Sequence, residues 1–146
     1  MSGPAPNVCI DFGTEHIDWQ AVCELIRRAP LGTRDPDKLH AAAANSYAVC
    51  TAYDGERLIG FGRAISDGQY QSAIYDLVVH PACRGRGVGK AILNALLEKL
   101  PRGGPVLIYA APGKQDFYRR FGFRILKTGM GLFPDPARYR SGGYID

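Results

Sequence analysis

Apolar and polar positions alternate along several short stretches of this chain and fall into a helical stripe in two longer ones. A strand is predicted over 7–12. Asp18 is placed to cap a helix running to residue 29, with Trp19, Val22, Cys23 and Ile26 on one face at helical spacing. Residues 30–34, with Pro30 and Gly32, break it, and Asp35-Pro36 opens a second short helix with a cap and a proline at the first position. Strands over 47–52 and 57–65 are joined through Asp54-Gly55, a hairpin signal, and Asp67-Gly68 turns into a strand over 70–80. Over 88–100 the period becomes helical: Val88, Ile92, Ala95 and Leu96 form one stripe, widened by Leu93, Leu97 and Leu100. Residues 101–105, with Pro at both ends, stop that helix. A strand over 106–110, a helix over 114–120 and a last hairpin over 123–133 complete the pattern. It predicts a mixed α/β fold, a central sheet with helices on both faces, in one domain over 1–146 with no boundary apparent.

The richest stretch joins the strand over 70–80 to the helix that starts at residue 88. It reads Ile74-Tyr-Asp-Leu-Val-Val-His-Pro-Ala-Cys-Arg-Gly-Arg-Gly-Val-Gly-Lys90. Gly85, Gly87 and Gly89 let the backbone bend and present N–H groups with no Cβ in the way. The positive end of the following helix faces the loop, and Arg84, Arg86 and Lys90 add full charges, an arrangement suited to a phosphate. A nucleoside-triphosphate loop would need a hydroxyl after Gly89-Lys90, where Ala91 stands, and a glycine at Arg84. A dinucleotide fingerprint begun at Gly85 or Gly87 would need glycine at Lys90 or Ile92. Both fail. What fits is Arg84-x-x-Gly87-x-Gly89, the Q/R-x-x-G-x-G/A signature.

With that signature, the strand and helix around it, and Phe117-Tyr-Arg-Arg-Phe-Gly-Phe123 matching F-Y-x-x-x-G-F, the chain resembles the GNAT superfamily of N-acetyltransferases over about 46–133. Within it, 76–89, 117–123 and Gly129-Met-Gly-Leu-Phe-Pro134 look most like the small aryl- and alkylamine acetyltransferases, plant serotonin N-acetyltransferases included. The resemblance implies a GNAT-type, mostly antiparallel sheet and acetyl transfer from acetyl-CoA to the primary amine of a small molecule. It places the donor along Leu77, Val78 and Val79 and the loop Arg84, Gly85, Arg86, Gly87, Val88, Gly89 and Lys90. The donor's pantetheine arm would lie as a pseudo-strand beside the fourth strand, where the N–H of Val78 or Val79 polarises the thioester.

By the same resemblance Tyr118 is the general acid that protonates the departing sulfur; its alternative is a tyrosine that packs the helix on the sheet. Asp76, a carboxylate in an otherwise apolar strand, is either a base with a raised pKa or one half of an ion pair with Arg63. His80 reads as a turn histidine in solvent, and Glu15, His16 and Asp116 are weaker base candidates. Acceptor choice is expected from the first helix, residues 30–34 and the sheet's open edge. Trp19, Leu31, Tyr47, Phe61, Tyr75, Phe133 and Tyr139 are available to line an amine pocket or to pack the core.

Charge sharpens the picture. The 146 residues carry a net charge of +4. Residues 1–83 hold 6 Lys/Arg and 10 Asp/Glu, and residues 84–146 hold 12 and 4. The basic half carries the phosphate loop, which suits an anionic donor, and the acidic half suits a cationic amine. No aromatic-interleaved basic motif for nucleic acid occurs. No apolar run approaches a membrane span, and the first residues lack the basic and apolar regions of a secretory leader. Cys9, Cys23, Cys50 and Cys83 form no C-x-x-C pair, so free thiols in a cytoplasmic protein and no metal site are expected. The resemblance leaves room for a homodimer. Two other functions stay open: a protein or peptide acetyltransferase, and a non-catalytic acyl-CoA-binding module, which would have no need of Tyr118.

Overall fold

Asp18 accepts hydrogen bonds from the N–H groups of Gln20 and Ala21 at 3.1 and 3.2 Å and so starts α1 (Trp19–Arg28). Asp35 accepts from Lys38 N at 2.9 Å and starts α2 (Pro36–Ala44). These caps belong to a computed structural model that describes residues 7–146. Two compact units emerge, one ending at Ile108 and the other comprising Tyr109–Asp146. No composition shift marks that division.

The first unit is built on five strands in the order β1 (Val8–Phe12), β2 (Ala48–Asp54), β3 (Arg57–Ser66), β4 (Ser72–Val79) and β5 (Val106–Leu107). All neighbours are antiparallel except β4 and β5. Helices cover both faces. Val49, Phe61 and Val78 share a buried cluster with Val22, Leu25 and Ile26 of α1 and Leu39 and Ala43 of α2. On the opposite face α3 (Val88–Lys99) lies against Gly60 and Gly62 of β3, where an added Cβ would come within 2.5 and 3.0 Å of Ile92. Absence of a side chain at those two positions lets the helix approach the strand. Burying each Leu, Ile, Val or Phe of these layers stabilises the fold by about 1.5–3 kcal/mol. The arrangement is the mixed α/β, mostly antiparallel sheet that the sequence predicts.

Several elements differ from the sequence pattern for local reasons. β4 begins at Ser72 rather than residue 70, because Asp67 Oδ1 accepts from the N–H groups of Gln69, Tyr70 and Gln71 at 2.8, 2.7 and 3.1 Å. That turn holds the three residues out of the ladder. β5 pairs with β4 only at Ser72 and Ala73, so the strand predicted over 106–110 shortens to two residues.

In the second unit, α4 (Gln115–Arg119) lies inside the predicted helix. The hairpin expected over 123–133 does not form: those residues contain no strand. Ile125, Leu126, Met130 and Leu132 are all exposed, so the segment has no buried face to hold two strands together. Instead a helix unforeseen in the sequence, α5 (Pro136–Ser141), starts where Asp135 accepts from Arg138 N at 3.2 Å. Asp135-Pro136 repeats the Asp35-Pro36 signal that opens α2.

Candidate active site

β3 and β4 fall out of step at one place. Phe61 pairs with Val78 and Arg63 with Tyr75, which leaves Asp76 and Leu77 of β4 opposite Gly62 alone. Asp76 takes up the extra residue with φ +54°, a left-handed conformation for a residue that has a Cβ. Two arginines from distant elements hold its carboxylate. Arg63 Nε donates to Oδ2 at 2.8 Å, and Arg34 Nη2, from the segment between α1 and α2, donates to Oδ1 at 3.3 Å. The Asp76 side chain is 8% exposed, that of Arg63 15% and that of Arg34 39%. Arg63 also reaches Ser46 Oγ at 3.3 Å and lies over the Tyr75 ring. Of the two sequence alternatives for Asp76, the ion pair with Arg63 is therefore present, with Arg34 as a further partner. No local sequence signal announces Arg34.

Beyond Ala73, β4 has no strand partner among the described residues on the side away from β3. The ladder sets which N–H groups face that open edge. His80 N donates to Ile59 O at 2.7 Å, so in the alternation of an antiparallel pair Val78 bonds toward Phe61 while Val79 turns outward. Leu77 falls in the same outward phase. Of the two donors expected from sequence, Val79 is the one available to a ligand lying along the edge, and Val78 is committed to β3.

The edge runs into the glycine loop. His80 Nδ1 accepts from Ala82 N at 3.1 Å and caps a 3-10 turn over Pro81–Cys83. Gly85 and Gly87 then adopt φ +76° and +82°, and a Cβ on either would meet nothing within 4 Å. The glycines thus serve conformation, and the space above them is open. Gly87 precedes α3 with no side chain capping it, so the first-turn N–H groups keep no partner inside the helix. Those donors, with Arg84, Arg86 and Lys90 alongside, fit the phosphates of an acyl-CoA donor. Arg84 also donates to Ala29 O at 3.4 Å, at the end of α1.

His80 is not a free turn histidine. Its ring is half-buried and meets Arg57 Nη2 at 3.0 Å and Arg28 Nη1 at 3.5 Å. Burial first, then the charges of Arg57 and Arg28, hold its pKa below the usual imidazole value. In the second unit Tyr118 is buried, with ring contacts to Phe117 and Phe123 at 5.0 and 5.7 Å between centroids. Burial pushes its phenol up to about 12.

The aromatic residues offered for an amine pocket do not gather in one place. Trp19, Leu31 and Phe61 pack in the α1/α2 core, where Trp19 also stacks on His40. Tyr75 packs under Arg63, and Tyr47 is exposed. Phe133 and Tyr139 join Tyr109 and Tyr144 in a cluster within the second unit. A cleft of ≈ 230 Å³ does lie where acceptor choice was expected, but Gln20, Cys23, Glu24, Arg27 and Arg34 line it rather than aromatic rings. Among the described residues no group of three or more His, Cys, Asp or Glu is placed to hold a metal ion, and no helix is long and apolar enough to cross a membrane.

Known acetyltransferases resemble this chain in sequence and in fold. The family described as the acetyltransferase (GNAT) domain matches residues 45–125. Histone acetyltransferase TAP1 of Glycine max is 33% identical over 132 residues, covering 80% of this chain and 55% of that protein. Serotonin N-acetyltransferase 2, chloroplastic, of Oryza sativa subsp. japonica is 31% identical over 113 residues, covering 73% and 56%. The chain spans about half the length of these curated relatives. Among solved structures, a GNAT-family acetyltransferase from Streptococcus pneumoniae superposes with a TM-score of 0.73 at 24% identity, over 86% of this chain and 96% of that one. The ribosomal-protein-S18-alanine N-acetyltransferase of Escherichia coli does so with a TM-score of 0.68 at 17% identity, over 80% and 77%. At these identities the superpositions speak for the fold.

Proposed function

The chain belongs to the GNAT acetyltransferase family, and from that premise we propose that it transfers an acetyl group from acetyl-CoA to the primary amine of a small molecule. One observation carries the reading: the open β4 edge, with Val79 N–H turned outward, runs directly into an uncapped helix N-terminus flanked by Arg84, Arg86 and Lys90.

Acetyl-CoA brings the activated thioester, so the chain needs to orient, polarise and manage protons. The first-turn N–H groups of α3 and the loop arginines hold the phosphates. Val79 N–H, with Leu77 in the same phase, is aimed where a thioester carbonyl lying along the edge would develop negative charge, a contribution typically of about 2.7–4 kcal/mol. Tyr118, carried over from the family pattern, protonates the departing sulfur; its raised pKa keeps the phenol a proton donor at neutral pH. Asp76 serves by holding the bulge, since both of its carboxylate oxygens are engaged by arginines.

Support for a small amine comes from the relative named for serotonin. The relative named for histones supports a second reading, a lysine side chain of a protein. Thiol release from acetyl-CoA, measured against tryptamines, phenylethylamines, polyamines, aminoglycosides and lysine or N-terminal peptides, separates the two. Turnover on the arylalkylamines supports the first reading, and turnover confined to peptides overturns it. No thiol release with any acceptor, despite tight acetyl-CoA binding, would leave an acyl-CoA-binding module.

A further inference from the structure

Where α1 ends, β3 begins and β4 ends, three N–H donors converge on one imidazole. Arg57 Nη2 and Arg28 Nη1 lie 3.0 and 3.5 Å from His80 Nε2, and Ala82 N points at Nδ1 over 3.1 Å. A neutral imidazole offers one acceptor nitrogen and an imidazolium none. Donors therefore outnumber acceptors in every protonation state of the ring.

The neighbouring carboxylates do not supply the deficit. Glu24 engages Arg28 through Nε at 3.1 Å and Arg27 at 2.6 Å, which leaves Arg28 Nη1 directed at His80. Asp54 is the cross-strand neighbour of Arg57 in the ladder, yet among the described residues no carboxylate forms an ion pair with Arg57. Arg84 adds a further positive charge, through its contact with the carbonyl of Ala29, the residue after Arg28.

We propose that this corner binds a phosphate-class oxyanion, held between the guanidiniums of Arg57 and Arg28 with His80 Nε2–H as the third donor. An oxyanion offers these donors the acceptors that the ring cannot. His80 then carries its proton on Nε2 and donates it to the anion, while Nδ1 stays free to accept from Ala82. Paired guanidinium forks match the oxygens of a phosphate. Burial, and after it the charges of Arg57 and Arg28, disfavour the imidazolium and keep the ring neutral, in keeping with the lowered His80 pKa.

His80 caps the turn that feeds the glycine loop, so the corner adjoins the loop assigned to the donor's phosphates. The anion has two sources: the ribose phosphate of an acyl-CoA bound at that loop, or free phosphate. Only the first rests on the proposed donor site.

The test follows the His80 ring by NMR during titration of the full chain with inorganic phosphate. Calorimetry compares acetyl-CoA with 3′-dephospho-acetyl-CoA, and both measurements are repeated on Arg57→Gln. A saturable His80 shift that weakens about tenfold in Arg57→Gln is the expected result. A preference of about tenfold for acetyl-CoA over its dephospho form, lost in Arg57→Gln, supports the corner with the ribose phosphate as source. Equal affinity for the two, with phosphate still saturating at His80, supports it with free phosphate as source. Saturation by phosphate in a chain that binds no acetyl-CoA upholds the corner and removes the donor reading. No saturable shift together with equal affinity for both CoA forms overturns the proposal. So does a wild-type pattern that Arg57→Gln leaves unchanged.

Discussion

Arg63 Nε and Asp76 Oδ2 meet at 2.8 Å across the β3–β4 pair, at the one point where the two strands fall out of register. The contact fixes a residue whose backbone is itself unfavourable, at φ +54°. Conformation and ion pair can be separated by substitution. Asp76→Gly loses the carboxylate but relieves the left-handed strain, about 1–2 kcal/mol for a residue with a Cβ. Asp76→Ala loses the carboxylate and keeps the strain. The alanine variant should therefore be less stable than the glycine variant by about 1 kcal/mol in urea denaturation, the reverse of the usual order in a strand. Asp76→Asn, which tolerates the conformation, should cost about 1–3 kcal/mol through the lost charge partner of Arg63 and Arg34. Equal stability of the alanine and glycine variants would show that the backbone is relaxed at this position.

The ladder phase makes a backbone donor testable. Val79 N–H faces the open edge, so Val79→Pro removes it without breaking a bond to β3, a placement that edge strands accept. We expect Val79→Pro to keep a melting temperature close to that of the parent chain and to lose about 10²–10³-fold in the rate of thiol release. Val78→Pro, which removes the bond to Phe61, should instead cost about 3 kcal/mol or more of stability. If the two variants exchange these phenotypes, the assignment of inward and outward donors is reversed.

What the sequence discloses about this site, and what it conceals, divides by range. Asp18, Asp35 and the loop glycines act on backbone within a few residues, and their signals are legible because the physics is local. The Arg34–Asp76 contact spans 42 residues and depends on how the segment before α2 passes over the sheet. The choice between Val78 and Val79 rests on which residues of β3 and β4 bond, which alternation alone leaves undetermined. Residues 123–133 mislead in the other direction. Their apolar residues imitate a strand pattern, but Met130 and Leu132 are fully exposed and pack against nothing that would fix a register. The Asp135-Pro136 start of α5 obeys the same cap-and-proline rule as the start of α2 and lies beyond that apparent hairpin.

Close approach of α3 to the sheet predicts a coupling between Gly60 and Ile92. A Cβ at Gly60 would stand 2.5 Å from Ile92 Cδ1 and 3.2 Å from Val88 Cγ1, and all three residues are buried. Gly60→Ala should cost about 1–3 kcal/mol by overpacking. Ile92→Val removes the crowding methyl and alone should cost about 0.5–1.5 kcal/mol. The double variant should be more stable than the sum of the two, by about 1 kcal/mol in a double-mutant cycle. Val88 opens α3, so Gly60→Ala should also weaken acetyl-CoA binding, and Ile92→Val should restore it. Strict additivity would mean that α3 shifts as a body rather than meeting one methyl.

Tyr118 offers two separable measurements, one of rate and one of stability. Tyr118→Phe should lower the maximal rate of thiol release by about 10²-fold or more while acetyl-CoA affinity stays nearly unchanged. An unaltered rate would remove the tyrosine from the mechanism. For stability, burial raises the folded-state pKa to about 12, above the ordinary phenol value of about 10 in the unfolded chain. The folded state thus holds its proton more tightly. The stabilisation is complete below pH 10 and is lost as pH rises through 12, because the unfolded chain ionises first. The loss over that window should amount to about 2–3 kcal/mol in the parent chain and be missing from Tyr118→Phe. Denaturant midpoints at pH 9 and pH 11.5 are the required data. Parallel declines in the two proteins would show that the phenol ionises as freely when folded as when unfolded.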